Sequence, residues 1–243
     1  MKDLFSKQSD EYAKFRPSYP KAMVETLIDL CSERELVWDA GTGNGQLAAM
    51  LSDHFIQVHA SDISAKQLSN AVQRANVTYV ISDSTHTALH DTSVNLITVA
   101  QAVHWFNTTK FYAEVNRVLK PDGIIALLGY GVMRSDPATD EIIQHFYHHV
   151  TGPYWDAERK LIDERYSTLP FPFKEIIFPK FKMNYEWNID QLIGYFSTWS
   201  ALQHLIEKTG VDPLPELKRR FESTGNTTFQ IEFPLFFRIG KRE

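Results

Sequence analysis

The sequence predicts an α/β fold in which helices cover both faces of a mostly parallel β-sheet. Five strand-like runs alternate with helix-like segments between residues 35 and 131, which is typical of successive strand–helix–strand units. The runs are short and mostly apolar, as expected for strands buried on both faces. A chain of 243 residues, 43% of them hydrophobic, is long enough to bury a sizeable core.

The predicted elements follow one another in a regular order. A first helix is predicted over residues 21–31, where Pro20 precedes apolar residues that recur on one helical face. Strands are predicted over 35–40, 56–62, 77–82, 93–102 and 123–131, and helices over 45–54, 64–75 and 109–120. Ser64 is the predicted N-cap of the helix after the second strand.

The pattern changes after residue 131. The prediction is mostly helix over 136–167, a proline-interrupted strand over 176–187, one amphipathic helix over 188–210, a short helix over 215–223 and a last strand over 227–242. Gly210 is a natural C-terminal cap for the amphipathic helix. We expect the helical material to cover the carboxyl ends of the first five strands.

The composition limits the classes of partner and compartment. The net charge is −5, which argues against binding to nucleic-acid phosphates. Cys31 is the single cysteine, so an intramolecular disulfide is impossible and a reducing compartment is expected. The sequence has no signal-peptide core and no run of about 20 apolar residues. We therefore expect a cytoplasmic protein with no membrane or nucleic-acid partner.

The stretch VWDAGTGNGQLAAML, residues 37–51, places a glycine-rich turn between the first strand and a helix. Gly41, Gly43 and Gly45 permit positive φ and carry no side chain that would block a ligand. The third glycine comes one residue too early for the dinucleotide fingerprint G-x-G-x-x-G. Asp39 would repel a pyrophosphate but could receive a cation or N–H donors. The turn favours a ligand with an amino group, the alternative being a tight strand-to-helix connection.

Polar residues follow the next three strands as well. Asp62 ends the second strand, where a carboxylate can hold ribose hydroxyls or cap the following helix. Asp83 and Ser84 end the third strand, where they could meet an exocyclic amine or cap a loop. The segment AQAVHWF, residues 100–106, then ends the fourth strand with an amide, an imidazole and an indole.

A strand–DxGxGxG–helix pattern with acidic residues at the next two strand ends resembles the class I S-adenosylmethionine-dependent methyltransferases. This resemblance covers roughly residues 33–131. The segments FSKQSDEYAKFRPSYP, AQAVHWFN and YFSTWSALQHLIEKTG further resemble the small-molecule methyltransferases that include trans-aconitate methyltransferase. The implied fold is Rossmann-like, with a mostly parallel seven-stranded sheet, helices on both faces and a helical cap.

The resemblance also implies a division of one domain into three parts. Residues 1–32 would form an N-terminal lid segment and the first helix, and residues 33–131 the cofactor-binding core. Residues 132–243 would supply the helical cap and the final strands of the same domain. The implied cofactor is S-adenosyl-L-methionine, and the expected state is a monomer or a homodimer.

The resemblance assigns cofactor contacts to particular positions. It implies that Asp39 and the turn lie against the methionine moiety, that Asp62 holds the ribose and that Ile63 flanks the adenine. The full implied set is Asp39, Gly41, Thr42, Gly43, Gly45, Asp62, Ile63, Asp83, Ser84 and Gln101. His104 would lie with Gln101 near the sulfonium and the methyl acceptor.

The expected acceptor is a small carboxylic acid, although a hydroxyl, nitrogen or carbon acceptor stays open. An ionised carboxylate needs no general base, whereas a hydroxyl or carbon acid usually does. His104 is the candidate base, the alternative being a histidine that holds Trp105 in place.

The other candidates would contact the acceptor. They are Tyr12, Arg16, Tyr19, Trp105, Tyr195 and Trp199. Arg16 could clamp a carboxylate in a bidentate manner, the alternative being a surface salt bridge. Tyr195 and Trp199 could equally belong to the core.

The sequence leaves three other functions open. Glu141, His145 and His149 share one helical face at i, i+4 and i+8, but no further metal signature accompanies them and we expect no metal. A non-catalytic module that only binds the cofactor is a second possibility. A nicotinamide-dependent oxidoreductase is a third, against which the early third glycine and Asp39 both weigh.

Overall fold

Five parallel strands form one side of an eight-stranded sheet, as the alternation predicts. The computed structural model describes residues 15–242. The strand order is β3-β2-β1-β4-β5-β8-β6, with β7 paired to β8. The strands are β1 Leu36–Ala40, β2 Gln57–Asp62, β3 Val77–Ile81, β4 Val94–Ala100, β5 Leu119–Tyr130, β6 Lys174–Glu175, β7 Lys182–Asn188 and β8 Thr228–Lys241.

The helices cover the sheet and build a cap at its carboxyl edge. They are α1 Lys21–Ile28, α2 Gln46–Leu51, α3 Ala65–Ser69, α4 Thr108–Val118, α5 Pro137–His145, α6 Arg159–Asp163, α7 Ile189–Ser197, α8 Ser200–Thr209 and α9 Leu214–Glu222. Short 3-10 turns span Val103–Trp105 and Gly152–Tyr154, and a π-helical segment spans Phe146–Val150. No helix within residues 15–242 is long and apolar enough to cross a membrane.

The two faces of the sheet carry separate apolar clusters. On one face, α1 and α2 contribute Met23, Leu27 and Leu47 to a cluster with strand residues. On the other face, α4 contributes Phe111 and Val115 to a second cluster. Because β1 and β4 are buried on both faces, their sequences are apolar runs rather than alternating patterns.

Strand β8 joins the sheet to the cap. Its first half, Thr228–Pro234, pairs antiparallel with β7, and its second half pairs antiparallel with β5. The class I methyltransferase fold expected from the sequence is confirmed. Seven strands lie on the continuous path, which ends at the two-residue β6, and the eighth is β7, which pairs with the first half of β8.

The strand predicted over 176–187 is too long. Only β7 is regular there, because Pro179 has no N–H to donate to a neighbouring strand. The helix predicted over 64–75 is also too long, since α3 ends at Ser69. Ser64 does cap it, because its hydroxyl accepts from the Gln67 N–H at 3.2 Å.

The single helix predicted over 188–210 is two helices, α7 and α8. Trp199 between them has extended backbone, with φ −77° and ψ 129°. The Thr198 hydroxyl donates to the Tyr195 carbonyl at 2.6 Å, which satisfies a group left by the ending helix. Apolar residues recur on both sides of the break, so periodicity does not reveal it. Gly210 ends α8 with φ +71°, as predicted.

Candidate functional site

The glycine turn joins the carboxyl end of β1 to α2. Gly41, Gly43 and Gly45 have φ values of +70°, +57° and +74°, a region that side chains rarely adopt. A Cβ at Gly41 would lie 2.7 Å from the Cβ of Ala102, whereas one at Gly43 would meet no atom closer than 3.9 Å. The turn therefore needs glycine for its conformation, and at Gly43 it leaves open space in front of the backbone.

The end of β2 holds this turn in place. The Gly41 and Thr42 N–H groups donate to the Ser61 carbonyl at 2.8 and 3.0 Å. The Gly43 N–H donates to Oδ2 of Asp62 at 2.9 Å, and Oδ1 of Asp62 accepts from the Ser64 N–H at 2.9 Å. Asp62 thus links the turn to Ser64, and Ser64 rather than Asp62 is the N-cap of α3.

Asp39 lies beneath the turn and is 1% exposed. The register of β1 and β4 places it beside Thr98, whose hydroxyl donates to Oδ1 at 2.6 Å. The Thr42 hydroxyl donates to Oδ2 at 2.5 Å. Burial raises the pKa of Asp39 to about 6, although both hydroxyl donors act in the opposite direction. A cation in front of Asp39 would favour its ionised form.

A cavity of about 490 Å³ lies in front of the turn. We call it the turn cavity. Its lining residues are Arg16, Pro17, Tyr19, Asp39, Gly41, Thr42, Gly43, Asn44, Gln46, Leu47, Ala100, Gln101 and Tyr130. It brings together the candidates from the turn, from the end of β4 and from the segment before α1.

Ile63 follows β2, which pairs with β1, whereas Asp83 and Ser84 follow β3, which pairs with β2. The lining residues of the turn cavity do not include these three. Asp83 accepts from the Thr85 N–H at 2.8 Å and the Thr85 hydroxyl at 2.6 Å, and these bonds lower its pKa. Ser84 is buried, and its hydroxyl has no partner within residues 15–242. A buried hydroxyl of this kind is open to a ligand donor or acceptor.

A second cavity, also about 490 Å³, adjoins the first. We call it the aromatic cavity. It is lined by Arg16, Gln101, His104, Trp105, Trp155, Asp156, Arg159, Ile162, Trp199 and Ser200. Because Arg16 and Gln101 line both cavities, they mark the boundary between the two.

Arg16 spans the boundary from the side of the cap. Its Nη1 donates to the Tyr130 hydroxyl and its Nη2 to the Thr198 carbonyl, each at 3.1 Å. Its guanidinium lies 5.4 Å from the centre of the Tyr195 ring. Tyr195 is buried beneath Arg16 and lines neither cavity, so it supports the guanidinium. Tyr12 lies outside the described residues.

Gln101 forms the other part of the boundary. Its φ is +55°, and its side-chain amide donates to the Tyr130 carbonyl at 2.9 Å. Its Oε1 accepts from the Tyr130 N–H at 3.1 Å. Both ends of the amide are therefore bonded to the backbone at the end of β5. These bonds hold the Gln101 side chain in one orientation at the boundary of the two cavities.

Arg159 is a second guanidinium at the aromatic cavity, and sequence reasoning missed it. It lies 4.7 Å from the Trp155 ring centre and 5.2 Å from that of Tyr147. Its Nε donates to the Tyr147 hydroxyl at 2.9 Å and lies 3.4 Å from a carboxylate oxygen of Asp163. No side chain or carbonyl of residues 15–242 accepts from its Nη1 or Nη2.

His104 lines the aromatic cavity with only 7% of its surface exposed. Its Nδ1 lies 3.1 Å from the Tyr166 hydroxyl, and its ring centre lies 4.9 Å from that of Trp105. Burial, with added repulsion from Arg159 and Arg16, lowers the pKa of His104 to about 3. The imidazole is therefore neutral near pH 7 and a weak proton acceptor.

Comparisons with known proteins agree with this geometry. Residues 38–127 match the family model of a methyltransferase domain. The chain is 33% identical to a Dictyostelium discoideum protein named as a methyltransferase, over 99% of this chain and 95% of that one. It is 34% identical to a methyltransferase structure from Anaeromyxobacter dehalogenans, with a TM-score of 0.85 over 93% of this chain and 98% of that one.

The chain belongs to the class I S-adenosylmethionine-dependent methyltransferases. A Saccharomyces cerevisiae relative named as an S-adenosylmethionine-dependent methyltransferase is 26% identical over an alignment that covers 51% of this chain and 45% of that protein. The family assignment favours methyl transfer over the oxidoreductase alternative.

The turn cavity of this methyltransferase fits the family's cofactor, S-adenosylmethionine. It offers a buried carboxylate for an ammonium group and a backbone without side chains at Gly43. The Ser84 hydroxyl gives an additional polar atom beyond the turn. No three potential metal ligands cluster within the described part of the chain, and the His145 and His149 rings lie 5.3 Å apart.

Gly41→Ala in this methyltransferase is expected to lower the free energy of unfolding by about 2–5 kcal/mol. The left-handed conformation costs about 1–2 kcal/mol for alanine, and the contact with Ala102 adds roughly 1–3 kcal/mol. Urea unfolding measures the change. Gly210→Ala is the matched control, because Gly210 has φ +71° and a Cβ there would meet no atom within 4 Å. Equal costs at the two positions would contradict the steric argument.

Proposed function

We propose that the protein transfers a methyl group from S-adenosylmethionine to a carboxylate oxygen of a small acid. In this proposal the turn cavity holds the methionine end of the cofactor and the aromatic cavity holds the acid. Arg16 and Gln101, which line both cavities, stand beside the path of the methyl group.

The cofactor contacts proposed here follow the strand ends. Asp39 receives the ammonium group, while Gly41, Thr42, Gly43 and Gly45 offer the backbone against which the methionine part lies. Asp62 accepts from the ribose hydroxyls, and Ile63, Asp83 and Ser84 contact the adenine. The cofactor supplies an activated methyl group on a sulfonium, which is a good leaving group.

The observation that carries the acid proposal is the pair of guanidiniums at the aromatic cavity. Arg16 and Arg159 both line it, and guanidinium N–H groups match carboxylate geometry. Among the described lining residues, Asp156 is the one carboxylate, so their charged side chains sum to one positive charge when His104 is neutral. An anionic acceptor balances that charge.

Methyl transfer to a carboxylate mainly requires that the protein position the acid and the cofactor. A carboxylate is ionised at neutral pH and attacks the methyl carbon directly, so no proton has to be removed. Trp105, Trp155 and Trp199 line the cavity and keep water away from the reacting atoms. Holding the acid in line with the sulfonium supplies most of the catalysis.

A panel of small acids, each paired with its own carboxamide, tests this proposal. We expect kcat/KM for the best acid to exceed that for its carboxamide by at least about 100-fold, because the amide has no charge for the guanidiniums. Incorporation of an isotopically labelled methyl group into the product measures the rate. Equal rates for an acid and its amide would overturn the proposal.

Asp156 favours a second candidate function, methylation of a hydroxyl or amine. Its Oδ2 is buried without a hydrogen-bond partner among the described residues and lies 3.8 Å from Nδ1 of His204. A carboxylate there could accept a proton from the acceptor. Faster transfer to alcohols or amines than to acids in the same panel would support this candidate.

A further inference from the structure

Tyr166 and His104 form a buried pair at the wall of the aromatic cavity. Tyr166 has no exposed surface, and its hydroxyl lies 3.1 Å from Nδ1 of His104. The two rings are near-parallel, with an interplanar angle of 28° and centres 6.2 Å apart. They lie 62 residues apart in the sequence, so only the folded chain brings them together.

The backbone at Tyr166 is held in an unfavourable conformation. Arg165 and Tyr166 have φ values of +54° and +57°, which cost side-chain-bearing residues roughly 1–2 kcal/mol each. The Tyr166 N–H donates to the Leu161 carbonyl at 2.8 Å, and its own carbonyl accepts from Arg238 at 2.9 Å. Such conformations are concentrated at functional sites.

Hydrogen-bond accounting assigns the proton between the two rings. If Nδ1–H donated to the phenol oxygen, the Tyr166 O–H would be buried with no acceptor within residues 15–242. A buried donor without a partner is costly. If Tyr166 donates to Nδ1, both groups are satisfied and the neutral ring carries its hydrogen on Nε2. Nε2 is then the nitrogen left for the cavity that His104 lines.

The charged groups around His104 agree with a neutral ring. Arg16 and Arg159 line the same cavity and disfavour a positive imidazole. Asp156 is the acidic side chain among the described lining residues, and Tyr130 lies near Tyr166 at the end of β5. An N–H on Nε2 adds a third donor to the two guanidiniums.

We propose that neutral His104 donates a hydrogen bond from Nε2 to a carboxylate oxygen of the methyl acceptor, and that Tyr166 sets this tautomer. Tyr166 is then a positioning residue, and His104 contacts the substrate without taking a proton. This inference rests on the proposed function, because it names the partner of the carboxylate in the same cavity.

A double-mutant cycle tests the proposal with the best acid of the panel. Tyr166→Phe is expected to raise KM for the acid about tenfold with little change in kcat, because the ring can then present an unprotonated nitrogen. His104→Gln is expected to retain most activity, since its amide donates from the position of Nε2, whereas His104→Leu loses it. In the His104→Gln background, Tyr166→Phe is expected to change KM less than twofold. An equal effect in both backgrounds would show that Tyr166 is merely structural and overturn the proposal.

The pH profile separates a donor from a base. With saturating cofactor, the pH profile of kcat/KM for the acid is expected to have the same shape between pH 6 and 8 in the wild type and in His104→Gln. A rate increase with an apparent pKa in that range, present in the wild type and absent in His104→Gln, would identify His104 as a base and overturn the proposal.

The tautomer of His104 can be measured directly, without an activity assay. Nitrogen NMR of the 15N-histidine-labelled protein is expected to show His104 with a protonated Nε2 and an unprotonated Nδ1, and Tyr166→Phe is expected to change this pattern. The opposite tautomer in the wild type would overturn the inference even if acids are methylated. The expected tautomer together with no transfer to any acid would mean that the proposed function has failed instead.

Discussion

Asp39→Asn is expected to weaken binding of S-adenosylhomocysteine at pH 7.5 by about 100-fold. The wild-type carboxylate is buried between the Thr42 and Thr98 hydroxyls and faces the turn cavity, where the ligand's ammonium group is proposed to lie. Loss of one partner of a buried charged pair costs about 2–5 kcal/mol. Asparagine retains the shape but presents an amide in place of a charge. Isothermal titration calorimetry measures the change.

Asp53→Asn is the control for this substitution. Asp53 is exposed on the loop after α2 and lines neither cavity, so the affinity of this variant should equal that of the wild type. Thermal melting of both variants shows whether they fold. An Asp39→Asn protein that folds and binds within threefold of the wild type would remove Asp39 from the cofactor site.

The raised pKa of Asp39 adds a pH signature to the same measurement. The ligand-free protein favours protonated Asp39 below about pH 6, and only the ionised form pairs with an ammonium group. At pH 5 about a tenth of the carboxyls are ionised, so apparent affinity should fall roughly tenfold from pH 7.5 to pH 5. Asp39→Asn should remove this dependence. A wild-type affinity that is constant over the range would contradict the assignment.

Burial of Asp39 also makes the free energy of unfolding of the ligand-free protein depend on pH. Since its pKa is higher in the folded state than the 3.8 of an ordinary carboxyl, the protonated form favours folding. That contribution is present below pH 3.8 and is lost as the pH rises to about 6. The stabilisation that a bound ligand adds should therefore grow over the same interval.

Arg159→Met is expected to lower kcat/KM for the best acid by about 100-fold, mainly through KM. Arg159 is held against Trp155 and Tyr147, and its Nη1 and Nη2 are not used by other described residues. Methionine keeps an apolar stem of similar length but removes the charge that is proposed to meet the carboxylate. Steady-state kinetics with saturating cofactor measures the loss.

Two comparisons make this result specific. Arg220→Met removes a charge from an exposed position on α9 and should leave kcat/KM unchanged. The affinity of Arg159→Met for S-adenosylhomocysteine should stay within twofold of the wild type, because Arg159 does not line the turn cavity. A fall in cofactor affinity equal to the fall in kcat/KM would show that Arg159 acts through the fold rather than on the acid.

The turn and the strand-end carboxylates proposed to hold the cofactor could be located from the sequence because their signals are local. A glycine turn directly after a buried strand, with carboxylates at strand ends, is contained in about 45 residues between Asp39 and Ser84. Parallel strands bring their carboxyl ends to one edge, so order along the chain fixes proximity in space. The turn, Asp39 and Asp62 accordingly meet in the structure as expected.

The lining of the aromatic cavity, where the acceptor is proposed to bind, could be predicted only in part. Trp155 and Asp156 lie in an irregular stretch, and Arg159 is the first residue of the short helix α6. No periodicity or motif indicates which way these side chains face. Tyr166 is paired with His104 by packing of the cap against the sheet, which sequence spacing does not encode. The break at Trp199 is hidden for a related reason, because both helices continue the same apolar pattern.

The most direct measurement is the chemical stability of the labelled product formed with the best acid of the panel. Methyl transfer to a carboxylate gives a methyl ester, which mild alkali hydrolyses to release the label as volatile methanol. We predict that the label is released in this way and that it stays on the product at neutral pH. A label that survives alkali, as it would on carbon, nitrogen or an ether oxygen, would contradict transfer to a carboxylate.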